Sequence, residues 1–298
     1  MKCYIIPIDI SYNLFEVDLA ATHRIFSRNQ NIEFRYIFST YSALIGSFII
    51  PSIQQLAPAF DDTYLISSNF QIKYNFDLLL PYKDEEINPV GSQIELKYNY
   101  EINRFNNTGN YSVDNTGNLV ADYNPFNFHR LELNIKSHFP LWFDHTISAQ
   151  IRLGNIFGPT VPDFFNFYLG GLIGMKAYPF YSVSGNKVGW VNLTYRFPLF
   201  RNIDTRVGQL YVDKIFMSFY GDLGNAWNGN KIPKVTEFKK GAGTEVRMEM
   251  SSFYLFPTMV FFNASYGFDK VSVNVRGQDF TYGKEWRFYG GILFSFDF

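Results

Sequence analysis

The stretch Gln93-Ile94-Glu95-Leu96-Lys97-Tyr98-Asn99-Tyr100-Glu101 decides the fold class, because apolar and polar residues change places at every step. Successive side chains of an extended chain point to opposite sides. A period of two therefore puts Ile94, Leu96, Tyr98 and Tyr100 on one face and Glu95, Lys97, Asn99 and Glu101 on the other.

The same rule holds outward in both directions. Upstream, Phe15, Val17, Leu19 and Ala21 alternate with Glu16, Asp18, Thr22 and Arg24. Ile32, Phe34, Tyr36 and Phe38 form a second row, and Tyr64, Ile66, Phe70, Ile72 and Tyr74 a third. Downstream, Leu131, Leu133 and Ile135 oppose Arg130, Glu132, Asn134 and Lys136, and Ile147, Ala149, Ile151 and Leu153 oppose Ser148, Gln150 and Arg152. Val191, Leu193 and Tyr195 lie opposite Trp190, Asn192, Thr194 and Arg196, while Met217, Phe219 and Leu223 lie opposite Ser218, Tyr220 and Asp222. Val246 and Met248 alternate with Glu245, Arg247 and Glu249, and Val260, Phe262, Ala264 and Tyr266 make the next row. Trp286, Phe288, Ile292, Phe294, Phe296 and Phe298 close the series. About eleven or twelve strands result, many near the ~9–11 residues with which a tilted strand crosses a bilayer.

Composition agrees. Of 298 residues, 33 are Phe and 21 are Tyr, a strand-favouring content. The net charge of −1 supplies no basic field, which argues against a nucleic-acid partner. The single cysteine, Cys3, has no second thiol for a disulfide or a thiolate metal site. Mean hydropathy is −0.10 and no apolar run reaches the length of a transmembrane helix. Barrel strands, only about half apolar, pass that filter. Residues 1–10 do not read as a signal peptide, so an exported protein is expected to carry its native N-terminus upstream of this sequence.

Two architectures share the alternation. A soluble sandwich turns its apolar rows inward, whereas an outer-membrane barrel turns them to lipid and its charges to the lumen. None of the apolar rows above contains Lys, Arg, Asp or Glu, and a Lys or Arg at a lipid-facing midplane costs about 2–4 kcal/mol. Strand length, aromatic content and the alternation of short with long connections favour the barrel, since soluble strands are commonly about five or six residues long. Short turns are expected near 25–30, 139–144 and 251–256, and longer loops near 42–61, 104–126, 154–185, 225–239 and 268–284.

One long connection holds Gly170-Gly171-Leu172-Ile173-Gly174-Met175-Lys176-Ala177-Tyr178, with too much apolar surface to leave in water. It is expected to fold against the rest of the chain. This segment resembles the Gly-Gly-x-x-x-Val-Arg-Gly-Tyr/Phe loop of the bacterial surface antigen, or outer-membrane assembly and two-partner secretion, superfamily. Tyr220-Gly221-Asp222-Leu223-Gly224 is similar to the Phe-x-Asp-x-Gly motif of that superfamily, and 192–199 to its intervening strand. The resemblance covers about 165–298. It implies a loop folded into the lumen and locked by Lys176 on Asp222, with Gly170, Gly171, Ala177, Tyr178, Tyr220 and Gly224 forming the rest of the lock.

Lys176 stands where the family has Arg, and lacks the bidentate fork a guanidinium offers a carboxylate, so a looser lock is expected. Ala177 stands where the family has Gly and restricts positive φ. With the runs at 238–241 and 252–258, these departures resemble barrels that follow a Tol-type β-propeller in Bacteroidetes-like bacteria. Tyr289-x-Gly291-x-x-Phe294-x-Phe296, ending on Phe298, resembles the C-terminal signal read by the barrel-insertion machinery.

The enzyme motifs sought, a Gly-x-Ser-x-Gly elbow, a His-Glu-x-x-His pair and a phosphate-binding Gly-x-x-x-x-Gly-Lys loop, do not occur. His23, His129, His138 and His145 are scattered, with His138 on a polar row. Glu245 and Glu249 flank Arg247, which reads as a solvated ladder rather than a catalytic carboxylate pair. No catalytic residue, metal or cofactor is expected.

The expectation is an all-β, antiparallel transmembrane barrel of outer-membrane type in a Gram-negative envelope, one domain over 1–298. It is incomplete by count, with about 11–12 of the 16 strands the resemblance implies, and a closed barrel has no free edge. The resemblance implies outer-membrane protein assembly or polypeptide translocation, with lipid, the insertion machinery, unfolded polypeptide and an upstream periplasmic domain as partners. The alternative is a structural anchor barrel for a periplasmic β-propeller, without transport.

Overall fold

The computed structural model describes residues 9–50, 55–57, 59–81, 87–113, 115, 119–252, 256–275 and 278–294. Eleven strands run β1 (Ile10–Arg24), β2 (Gln30–Ile45), β3 (Phe60–Asp77), β4 (Gly91–Phe105), β5 (Asn124–Pro140), β6 (Thr146–Phe157), β7 (Lys187–Phe200), β8 (Leu210–Trp227), β9 (Lys239–Ser252), β10 (Phe256–Gly267) and β11 (Trp286–Phe294). Each pairs antiparallel with its neighbours in sequence, and the short strand Thr205–Val207 beside β8 completes one 12-stranded sheet. There is no α-helix among the described residues.

Most connections follow the expected rhythm; 78–90 and 201–209, at the same end as 25–29, are longer than the short turns there. Residues 25–29, 141–145 and 253–255 join strands at one end of the sheet, whereas 46–59, 106–123, 158–186, 228–238 and 268–285 join them at the other. The alternation also survives folding. Along β8, Lys214, Phe216, Ser218, Tyr220, Asp222, Gly224 and Ala226 are buried, and every residue between them is more open. Asp222 is 5% exposed and its neighbour on the apolar row, Phe219, 49%. In β4, Asn99 and Asn103 are buried while Leu96, Tyr98 and Ile102 are exposed. Leu193, Phe262 and Phe288 are exposed on the same apolar face.

This burial is inverted relative to a water-soluble core, where desolvating apolar side chains supplies the driving force. The polar face is the covered one. It also curls, because a cavity of 420 Å³ is lined by residues from Asn31 on β2 through Trp190 on β7. Ion pairs knit it across strands, Arg35 with Asp18, Lys73 with Glu33, Arg130 with Glu101, and Arg152 with Glu132, and Arg35 also meets Glu33 on its own strand.

Three places break the simple register, one of them between Val212 and Lys214 in the β8–β9 ladder. Between Tyr41 and Ser42 the β2–β3 ladder shifts, and between Pro198 and Phe200 the β7–β8 ladder shifts, where the proline has no N–H to give. Among the described residues, β1 pairs only with β2 and β11 only with β10, so the sheet's ends are not joined to each other. The last strand thus has an open edge, as a strand count short of a closed barrel leads one to expect, and does not pair with β1.

Candidate functional site

The 158–186 connection doubles back over the polar face. A 3-10 turn at Asp163–Phe165 leads into the short strand Phe167–Tyr168, which pairs with Ser184–Gly185 at the loop's return. Inside this hairpin the chain closes on itself through Met175 N–H to Leu169 O (2.6 Å), Gly171 N–H to Tyr178 O (2.8 Å) and Leu169 N–H to Val183 O (3.0 Å). So tight a coil needs glycine. A Cβ on Gly170 would lie 1.7 Å from Pro179 O, and Gly171 adopts φ +93°.

The loop buries its apolar side chains between itself and the sheet. Phe165, Phe167, Leu169, Met175, Ala177, Tyr178 and Val183 join Leu65, Phe128, Val188 and Trp190 in one cluster. Phe105, Phe126, Phe128, Phe164 and Phe165 contact one another ring to ring at its edge. At roughly 1.5–3 kcal/mol for each large side chain, burial on this scale outweighs any single ion pair in holding the loop.

Strands β8 to β10 make room for it. Trial Cβ atoms would lie 2.9 Å from Met175 Sδ on Gly224, 2.9 Å from Ala177 Cβ on Gly241, and 3.1 Å from Ala177 O on Gly267. Ala177 is not among the residues with positive φ, so alanine is compatible here, and its methyl fills the space that Gly241 leaves. Tyr178, fully buried, donates to Lys240 O (2.8 Å) and accepts from Asp269 N–H (3.1 Å), tying the loop to the β9–β10 end. Burial pushes its phenol up to about 12, so it stays a donor at neutral pH.

The expected ion-pair partner is corrected. Lys176 Nζ lies 2.5 Å from Glu245 Oε2 on β9, and no Lys176–Asp222 pair forms. Asp222 is engaged sideways instead: its Oδ1 accepts from Trp190 Nε1 (3.1 Å) and Asn192 Nδ2 (2.8 Å) on β7, while Oδ2 is buried without a partner. Lys176 passes over the Tyr220 ring, 4.9 Å from its centroid, to reach the next strand. There Glu245 also accepts from Arg247 Nε (2.5 Å) and Asn263 Nδ2 (3.1 Å), and Tyr220 donates to Asn263 Oδ1 (2.9 Å).

Glu245 is therefore a buried, fully engaged acceptor, not a rung of a solvated ladder. In place of the guanidinium fork, the ammonium has the aromatic face of Tyr220 and a carboxylate shared with Arg247.

All eight residues expected to form the lock, Gly170, Gly171, Lys176, Ala177, Tyr178, Tyr220, Asp222 and Gly224, come together at this site. The expectation missed Glu245, Asn263, Gly241 and Gly267. Glycines at 241 and 243 on the polar row of a strand, where a side chain normally stands, were the available signal of close backbone approach. At the C-terminus, Tyr289 and Gly291 share the polar row of β11, and a Cβ on Gly291 would lie 2.8 Å from Phe261 Cε1. Phe294 ends β11, and Phe296 and Phe298 lie outside the described residues.

Besides the 420 Å³ cavity, the loop borders two more. One of 630 Å³ is lined by Glu16, Glu101, Arg130 and Tyr181, and one of 320 Å³ lies between Lys176, Arg196 and Glu245. Among the described residues no cluster of His, Cys, Asp and Glu is placed to hold a metal. In comparisons with known proteins, no family model and no curated protein matches this chain.

Proposed function

We propose that this chain is the membrane-embedded sheet of an outer-membrane β-barrel of surface antigen type, acting in outer-membrane protein assembly or polypeptide translocation. The observation that carries the membrane reading is the inverted burial: apolar rows exposed and polar rows covered along strands of 9 to 18 residues. Lipid is the solvent in which Leu193, Phe219, Phe262 and Phe288 are stable where they stand.

Backbone groups in a bilayer need partners, so the free edges of β1 and β11 require further strands in this reading. Those strands, and a periplasmic domain preceding them, belong to the proposal. The loop is the part that bears on transport. Held over the polar face by its aromatic cluster and by Lys176, it narrows any path for an extended polypeptide, which would pass only if the loop moved.

That same covering favours the second reading, an anchor barrel for a periplasmic β-propeller that transports nothing. A direct test folds the protein into lipid vesicles and follows insertion of a second, unfolded outer-membrane protein. Acceleration that disappears when the loop is disulfide-tethered to β9 supports assembly. Insertion at the rate of empty vesicles leaves the anchor.

A further inference from the structure

We propose that the 320 Å³ cavity beneath the loop binds a soluble, phosphate-sized oxyanion, with Arg196 as its principal ligand. This inference rests on the polar face of the sheet and holds whether or not the strands close into a barrel.

The charge around the cavity does not balance. Its walls carry four cations, Lys136, Lys176, Arg196 and Arg247, and two carboxylates, Asp222 and Glu245. Glu245 already holds both Lys176 and Arg247, and Asp222 is taken up by Trp190 and Asn192. Lys136 and Arg196 are left over, with no ion pair or hydrogen bond to any described residue.

Arg196 differs from most arginines of the polar face. Arg35, Arg130, Arg152, Arg247 and Arg287, on the same polar face, each meet a carboxylate. Arg196 stands opposite Thr146 on β6 and Ser218 on β8, neither of which can neutralise it. The charges that act on it are Arg247, which repels it, and Glu245, which Lys176 and Arg247 already claim. A partly buried guanidinium with its donors unspent is stabilised by an anion that accepts from it.

The surroundings suit such a guest. The Gln150 side-chain amide also lines the cavity without a partner among the described residues, adding a neutral donor between Lys136 and Asn192. The unpaired Oδ2 of Asp222 is buried and does not touch the guest, and the four wall cations outnumber the two carboxylates that repel it. Trp190 forms part of the wall and reports on occupancy through its fluorescence.

The test uses the whole chain folded in maltoside micelles, which bring no phosphate, at constant ionic strength set with chloride. Inorganic phosphate is titrated against Trp190 fluorescence, with Trp142, Trp227 and Trp286 replaced by Phe. The expected result is a saturable change that Arg196→Gln weakens by about tenfold or more, as loss of a charged hydrogen-bond partner implies. Lys136→Gln weakens it by a smaller factor, and Arg35→Gln, far along the sheet, leaves it unchanged. Without phosphate, Arg196→Gln should melt at or above the parent's temperature, because the parent's guanidinium has no partner to lose. Absence of saturation, equal binding by Arg196→Gln, a lowered melting temperature for that variant, or a response only to phosphatidylglycerol added to the micelles would each overturn the proposal.

Discussion

Strands β1 and β8 have the same kind of sequence and opposite surroundings. Both alternate polar and apolar residues, yet every residue of β1 is exposed, whereas β8 buries alternate residues from Lys214 to Ala226. Among the described residues β1 has one neighbouring strand, and β8 lies between β7 and β9 beneath Met175 and Lys176. Period-two patterning thus says that two faces differ, and the tertiary partner decides which face is covered. Mutations should be felt under the loop and hardly at all on β1.

The largest effect is expected at Glu245. Glu245→Ala leaves Lys176 and Arg247 without their shared carboxylate, and breaking a buried pair of this kind costs about 3–5 kcal/mol. Chemical unfolding in micelles would measure it, and a loss below about 1 kcal/mol would show that Glu245 does not hold the loop. Next comes Gly241→Val, which drives a side chain into Ala177 and should cost about 1–3 kcal/mol while opening 158–186 to protease. Ala177→Gly in the same chain should return part of that loss, since the two positions share one space.

How much of this was legible beforehand follows the same division. The strands and the sign of each face could be read from Ile94, Leu96 and Tyr98 set against Glu95 and Lys97, because strand geometry fixes alternation locally. The residues of the loop and of β8 that meet were also legible as motifs. Which carboxylate takes Lys176 was not. It depends on how far the ammonium reaches across Tyr220 and on Trp190 and Asn192 having claimed Asp222 first, and both are facts of packing between strands. The aromatic seat for the loop was hidden for another reason: Leu65, Phe105 and Phe128 lie on rows that are polar elsewhere along their strands.

Smaller effects sharpen the contrast. Asp222→Asn preserves the Oδ1 acceptor for Trp190 and Asn192 and removes a charge that meets no cation directly, so it should cost less than about 1 kcal/mol and protect the loop nearly as well as the parent. Loop proteolysis faster than in Lys176→Gln would restore Asp222 as the principal lock. At the far edge, Asp18→Asn removes a half-exposed partner of Arg35, which keeps Glu33, and should change stability by no more than about 0.5 kcal/mol.

The claim on which the rest depends is that the exposed apolar rows face lipid. It is tested most directly by single cysteines at Leu193 and Thr194 in a Cys3→Ser background, labelled with an environment-sensitive fluorophore and folded into vesicles containing spin-labelled lipid. Leu193 is 56% exposed on the apolar row of β7, and Thr194 lies on the opposite, polar row. The account predicts blue-shifted, strongly quenched emission from position 193 and unquenched emission from position 194. Equal quenching at the two positions, or emission characteristic of water at 193, would contradict it.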